Sequence, residues 1–212
     1  FMSHTIRKFD EEAASWDDKP HRHKLATDIG NALQMAVTFS ENMHILDFGC
    51  GTGLVALQLA GKVGKITGAD SSRGMLEVFR EKAKRAALDN VNILHLGSEE
   101  RMVSSDRYDV IVSSMTLHHI RNVEQLLRDF HQLLRPGGIL SLADLDSDDG
   151  QFHQDKAGVF HQSFDRGQLK CMLADAGFSS MVDCTAGQVT RPVADTGAMR
   201  TFTVFLITAC RV

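Results

Sequence analysis

No stretch of this chain is long and apolar enough to cross a bilayer; its longest apolar runs are strand-sized. No basic run interrupts a composition with a formal net charge of -4, so charge gives no reason to expect a nucleic-acid partner. No CxxC joins the four cysteines. Cys50, Cys171, Cys184 and Cys210 are scattered, which argues against a metal or redox site and for reduced thiols in a cytoplasmic protein. Repeats, low-complexity tracts and linker-like stretches are absent, and the polar, charged residues 3–24 do not read as a signal peptide. What is present, 212 residues with 43% hydrophobic and 24% charged, suffices for one domain with a real core.

Strand-length apolar runs alternate with stretches of helical period. The runs at 45–48, 65–69, 91–96, 108–113 and 138–143 read as strands. Leu54, Leu57 and Leu59 predict a short helix after the first. Met75, Leu76, Phe79, Ala83 and Ala87 predict a longer one after the second, with Ser71 or Ser72 as its N-cap. A third amphipathic stretch, 123–135, is expected to stop at Pro136-Gly137-Gly138. This alternation predicts a parallel sheet covered on both faces. The ends depart from it: 5–39 reads as one or two helices carrying Trp16, 168–176 as a helix, and 179–186 and 202–209 as strands. With no helix between them, those last two strands should pair antiparallel at one edge.

The run "HILDFGCGTG" (44–53) places Gly49, Gly51 and Gly53 directly behind the first strand. In an open α/β sheet, ligands bind outside the carboxyl ends of the strands, where the first strand-to-helix turn lies. Missing side chains let backbone N–H groups close on a polar ligand. Asp70 ends the next strand, about 20 residues on, where an acid can accept both hydroxyls of a ribose. The spacing is GxGxG, with Leu54 where a dinucleotide fingerprint has its third glycine. Asp47 stands just before the turn; a carboxylate there repels a pyrophosphate and attracts an ammonium or sulfonium.

In this order and spacing, "ILDFGCGTG", "GADSSRGML", "YDVIVSSMTLHHI" and "LLRPGGIL" resemble the class I S-adenosylmethionine-dependent methyltransferases. The resemblance covers roughly residues 45–142 closely and the tail weakly. It implies a three-layer, Rossmann-like α/β fold with seven strands in the order 3-2-1-4-5-7-6, strand 7 antiparallel. It also implies that S-adenosylmethionine binds, with S-adenosylhomocysteine as product. Asp47 and the backbone of Gly49, Cys50 and Gly51, with Gly53 closing the turn, would hold the methionine end. Asp70 would take the ribose hydroxyls, Ser71 and Met75 would flank the adenosine, and Ser114 would lie beside the cofactor. After strand 3, where similar proteins often place an acid against the adenine amino group, this chain offers Ser98 and Glu99.

Methyl transfer from a sulfonium needs alignment in a dry pocket, and a base only where the acceptor must lose a proton. The loop after strand 4 reads "SSMTLHHI", unlike the Asn-Pro-Pro-Tyr-type loop of enzymes that methylate exocyclic or amide nitrogens. It offers His118 and His119 as candidate general bases. The stretch after strand 5 adds Asp144, Asp146, His153 and His161 as candidates for the acceptor pocket. "DLDSDDG" begins like a Ca²⁺ loop, but Asp149 stands at its sixth position and Asp155 at its twelfth, so no EF-hand is expected. No ligand pair has metal-diagnostic spacing, and no metal is assigned. Phe9 and Trp16 could wall the cofactor mouth, where an aromatic face attracts a sulfonium.

Residues 1–40 are expected to form a helical cap on a methyltransferase domain at 41–212, one domain overall. The expected function is methylation of a small-molecule acceptor, oxygen or carbon favoured, and the "MTLHHI" loop resembles the ubiquinone and menaquinone methyltransferases. Two rivals share the sheet: a nicotinamide-dependent oxidoreductase and a non-catalytic binder of S-adenosylmethionine or S-adenosylhomocysteine. The sequence fixes neither the acceptor nor the oligomeric state.

Overall fold

The computed structural model describes residues 8–97, 106–153, 155–193 and 196–212. Seven strands form one sheet: β1 (His44–Phe48), β2 (Lys65–Asp70), β3 (Val91–His95), β4 (Tyr108–Ser114), β5 (Leu134–Leu145), β6 (Phe178–Pro192) and β7 (Met199–Arg211). Their order is β3-β2-β1-β4-β5-β7-β6, with β7 antiparallel to both neighbours and the pairs from β3 to β5 parallel. This is the expected topology. Strand order reverses between β1 and β4, so the turn after β1 opens at the switch point where such sheets bind ligands.

Helices cover both faces. One layer holds α1 (Pro20–Ala36), α2 (Ala56–Leu59) and α3 (Arg73–Arg85); its core joins Ile29, Leu33, Leu59 and Phe79 to Ile45, Val110 and Val204 from the strands. The other holds α4 (Val123–Leu133) and α5 (Arg166–Asp175), packing Leu127, Phe130 and Leu173 on Leu46, Ile111 and Phe205. Ile45 and Leu46 thus point to opposite layers, as successive strand residues must. With both faces dry, the central strands read as unbroken apolar runs, which is why the sequence exposed them.

Local chemistry sets the ends. Ser72 caps α3, its Oγ accepting from the Met75 amide at 3.1 Å, and Asn122 caps α4 through the Gln125 amide at 3.0 Å. The expected α3 period overran its end by a residue pair. The helix stops at Arg85, and Ala87 turns to φ 53° while Leu88 N–H reaches back to Ala83. That six-to-one bond closes the helix, and it holds an alanine where glycine is the usual occupant. α4 ends where Pro136-Gly137-Gly138 predicted, but the chain passes straight into β5 at Leu134. Gly137, at φ 78°, lies in a register shift between the Tyr108–Leu134 and Val110–Ile139 pairs. The tail strands also outrun their expected bounds, forming a long hairpin that α1 covers. Ahead of α1, residues 8–12 are helical and continue into a 3-10 turn at Ala13–Asp18.

Candidate functional site

The three glycines of the turn serve two ends. All have positive φ: 73° at Gly49, 52° at Gly51 and 79° at Gly53. A Cβ on Gly49 would sit 2.3 Å from the methyl of Thr116, and one on Gly53 would sit 2.3 Å from the Phe79 ring; both are packing glycines. A Cβ on Gly51 would meet nothing within 4 Å. Gly51 therefore fronts free space, where a ligand can touch the backbone. The Cys50 side chain packs in the core, so this residue offers the site only its backbone.

Two acids flank that space. Asp47 is buried, and its Oδ2 has no hydrogen-bond partner. Burial, and then the nearby charge of Asp70, push its pKa up to about 7, against one backbone hydrogen bond from Ala56. Asp70 ends β2 and accepts from the Gly51 and Ser72 amides, each at 2.8 Å. Its burial raises its pKa against the opposing pull of those N–H groups. Ser71 is half-buried between Asp70 and the cap of α3, and Met75 is buried in the first turn of that helix. Ser98 and Glu99 lie outside the described residues.

The N-terminal segment crosses this corner. Asp10 Oδ1 accepts from Ser72 Oγ at 2.6 Å and from the Gly74 amide at 2.8 Å. Asp17 accepts from Thr52 Oγ1 at 2.7 Å and pairs with Lys82 at 2.6 Å. Trp16 lies under the Arg22 guanidinium, 3.3 Å from its ring centre, and edge-on to Phe9 at 5.7 Å. Sequence reasoning found the two aromatics and missed Asp10, Asp17 and Arg22. Five acids and three basic residues from 10 to 22 carry no spacing that singles these three out.

A second cluster is built from β4 and β5. Ser114 ends β4, and the chain then turns at Met115, φ 53°, into a 3-10 turn at Leu117–His119. His118 is buried, and its Nδ1 donates to Asp144 Oδ1 at 2.7 Å. Burial works against the Asp144 charge, but His118 and two backbone N–H groups outweigh it and hold the carboxyl below its usual range. His119 Nδ1 donates to the Gly158 carbonyl at 2.8 Å, and Phe9 stands edge-on to its ring at 5.4 Å. The His153 ring lies 4.9 Å from that of His118. Burial first, then the neighbouring His118, lower the pKa of both His119 and His153 to about 4. Three imidazoles and one carboxylate thus meet at the carboxyl ends of β4 and β5.

One of the expected pocket residues is held elsewhere. Asp146 forms a bidentate pair with Arg166, 2.6 Å at each oxygen, and Arg166 also reaches Asp183 on β6. That acid anchors α5 and is not free to meet an acceptor, a correction to the sequence reading. His161 packs on Phe164 at 5.3 Å, and its amide donates to the His118 carbonyl. Among the described residues, no three His, Cys, Asp or Glu side chains are disposed to hold a metal ion.

Comparison with known proteins agrees with this geometry. A methyltransferase-domain family model matches residues 21–181. A methyltransferase of Schizosaccharomyces pombe is 35% identical over 177 residues, covering 76% of this chain and 58% of the relative. A demethylmenaquinone methyltransferase of Listeria welshimeri is 35% identical over 104 residues, 48% of this chain and 44% of the relative. The chain thus spans about half the length of the curated relatives it matches. A structure of an S-adenosylmethionine-dependent methyltransferase from Aquifex aeolicus superposes with a TM-score of 0.68 at 21% identity, covering 98% of both chains. The chain belongs to the methyltransferase-domain family.

Proposed function

We propose that this protein transfers a methyl group to a small-molecule acceptor, at oxygen or carbon, with His118 as the general base. One observation carries the reading: the buried His118–Asp144 pair stands at the carboxyl ends of two strands beside the cofactor turn. The cofactor, when bound, supplies a methyl carbon on a positively charged sulfur that departs as a thioether with the electron pair of the broken bond. Asp47 suits the ammonium of its methionine end, because a buried carboxylate oxygen without a partner is what an incoming cation satisfies. Backbone groups from Gly49 to Gly51 approach the same end, with Gly53 closing the turn behind them. Asp70 faces the ribose hydroxyls with the lone pairs its two amides leave free. Ser71 and Met75 would flank the adenosine, Ser114 would lie beside the cofactor, and Trp16 would wall the mouth.

Asp144 fixes the tautomer of His118. With Nδ1–H donated to the carboxylate, Nε2 presents a lone pair, and it accepts the acceptor's proton as the oxygen or carbon attacks. The imidazolium so formed is stabilised by the Asp144 charge. His119, tied to Gly158 and pushed down to about 4, is the poorer base and stays neutral. It forms the pocket wall together with His153. Of the expected cap at 1–40, the described residues 8–40 act as a cap on the domain at 41–212, since α1 packs in its core. Four cysteines without a disulfide suit a cytoplasmic protein.

Thermal unfolding with S-adenosylmethionine, S-adenosylhomocysteine and NADH, each added alone, tests the class. A ligand at 100 times its Kd stabilises by about 2.7 kcal/mol, a rise of several degrees for this length. A shift with the two sulfur compounds alone is expected. A shift with NADH alone would return the turn to the oxidoreductases. Transfer of labelled methyl to any acceptor separates the enzyme from a non-catalytic binder.

A further inference from the structure

We propose that the acceptor carries a carboxylate, and that Arg191 on β6 binds it beside His153. The inference rests on the methyltransferase reading above and specifies its substrate class.

Arg191 is half-buried, and no carboxylate among the described residues pairs with it. Its register partner on β7, Arg200, closes on Asp149. Arg166 has two carboxylates. Arg191 instead lies over the Phe152 ring, 4.7 Å from its centre. Phe152 contacts His153, ring centres 5.0 Å apart, and His153 contacts His118. A short path of touching side chains therefore leads from the free guanidinium to the base.

The charge that acts on Arg191 is another cation. Its own pKa is lowered by burial and then by Arg22, and its charge in turn helps lower His153 and His21. Arg22 bonds Glu12 at 3.3 Å and also feels the charge of Asp17, which Lys82 already holds. Among the described residues, the three cations Arg22, Arg191 and Lys82 and these two carboxylates leave one positive charge uncompensated in a half-dry wall. A buried or half-buried charge without a partner is unfavourable until an anion arrives. One charge fits a monoanionic carboxylate, which a guanidinium can grip with two parallel N–H bonds, better than a doubly charged phosphate.

Two carboxylates could reach this wall: that of the acceptor, or that of the cofactor's methionine end. The acceptor is favoured because Asp47 holds the cofactor's amino-acid end at the tip of β1, whereas Arg191 adjoins the histidines. The probes are benzoate and methyl benzoate, chosen for the aromatic walls at Phe9, Trp16 and Phe152. Each is titrated by calorimetry into protein saturated with S-adenosylhomocysteine. Benzoate should bind saturably and roughly tenfold or more tightly than the ester, the usual margin for a hydrogen bond to a charged group. R191Q should erase that difference and leave S-adenosylhomocysteine affinity unchanged, while R191K should keep most of it.

Equal binding of acid and ester, or a flat benzoate titration of the wild type, overturns the proposal. So does a loss of S-adenosylhomocysteine affinity in R191Q, which would give the carboxylate to the cofactor. Failure of the wild type to bind S-adenosylhomocysteine at all would instead sink the methyltransferase reading beneath it.

Discussion

Two buried carboxylates, Asp47 at the end of β1 and Asp144 near the end of β5, sit on opposite sides of the same site and respond to burial in opposite ways. Asp47 keeps an oxygen without a partner and is pushed up to about 7. Asp144 has His118 and two amides and is held below its usual range. Desolvation is the first cause acting on both, so the partners decide the sign. On the proposed reading, the cofactor half of the site holds its acid in reserve for a ligand, and the acceptor half commits its acid to orienting a base.

Removing that commitment should have the largest effect. Asp144→Asn frees the His118 tautomer, and methyl transfer is expected to fall by about 10³-fold or more, as when an orienting carboxylate is lost elsewhere. S-adenosylhomocysteine binding, followed by calorimetry, should be unchanged; a parallel loss of both would mean Asp144 holds the fold and not the base.

Asp47→Asn should cut cofactor affinity by roughly 100-fold, the scale of a buried charge pair. It should also stabilise the ligand-free protein by about 1–3 kcal/mol at pH 8, because a buried unpaired charge is gone. Urea unfolding reads the second effect, and a destabilised variant would contradict the account of Asp47 as an unsatisfied acid.

The pH dependence sharpens the same contrast. Cofactor affinity should fall about tenfold per unit as pH drops below about 7, because a protonated Asp47 no longer attracts an ammonium. Stability behaves differently. Asp47, raised, takes up its proton in the folded state first, so its contribution is present below its unfolded value near 3.8 and lost as pH rises through about 7. His119 and His153, lowered, contribute stability that is present above their unfolded value near 6.5 and lost as pH falls through about 4. Between 6.5 and 4 the lowered histidines, His21, His44, His119, His131 and His153, outnumber the raised acids Asp47 and Asp70, so the protein should weaken on acidification, and Asp47→Asn should steepen that loss. A melt series from pH 7.5 to 4.5 on both proteins checks it.

Ala87→Gly should be the smallest effect: roughly 0.5–1 kcal/mol of added stability from relieving φ 53° at the end of α3, with no change in cofactor binding.

The two halves also differ in how far the sequence announced them. The cofactor half is nearly contiguous: strand, glycine turn, second strand and Asp70 fall within 44–75, and each obeys a spacing. The sheet order followed from the resemblance, and the central strands from being dry on both faces. The acceptor half draws on 118–119, 144, 153 and 191. Sequence offered four histidines and two acids there, without saying that Asp144 would turn inward to His118 while Asp146 turned to Arg166. Alternation along a strand assigns faces, not partners. Arg191 gave no signal at all, since an unpaired arginine is visible only when its surroundings are. Asp10 and Asp17 were hidden for a similar reason, their partners being more than thirty residues away in sequence.

That last separation bears on time as well as geometry. Asp10 reaches Ser72 across 62 residues, Asp17 reaches Lys82 across 65, and Lys8 reaches Asp155 across 147. Contacts spanning such distances meet the entropy of loop closure in full before they return anything. The central sheet closes loops of the same size, Ile45 reaching Val110 and Ile139 reaching Cys210, so segment and sheet share one entropic barrier. A newly made chain should therefore gain its fold and its working site in a single late step.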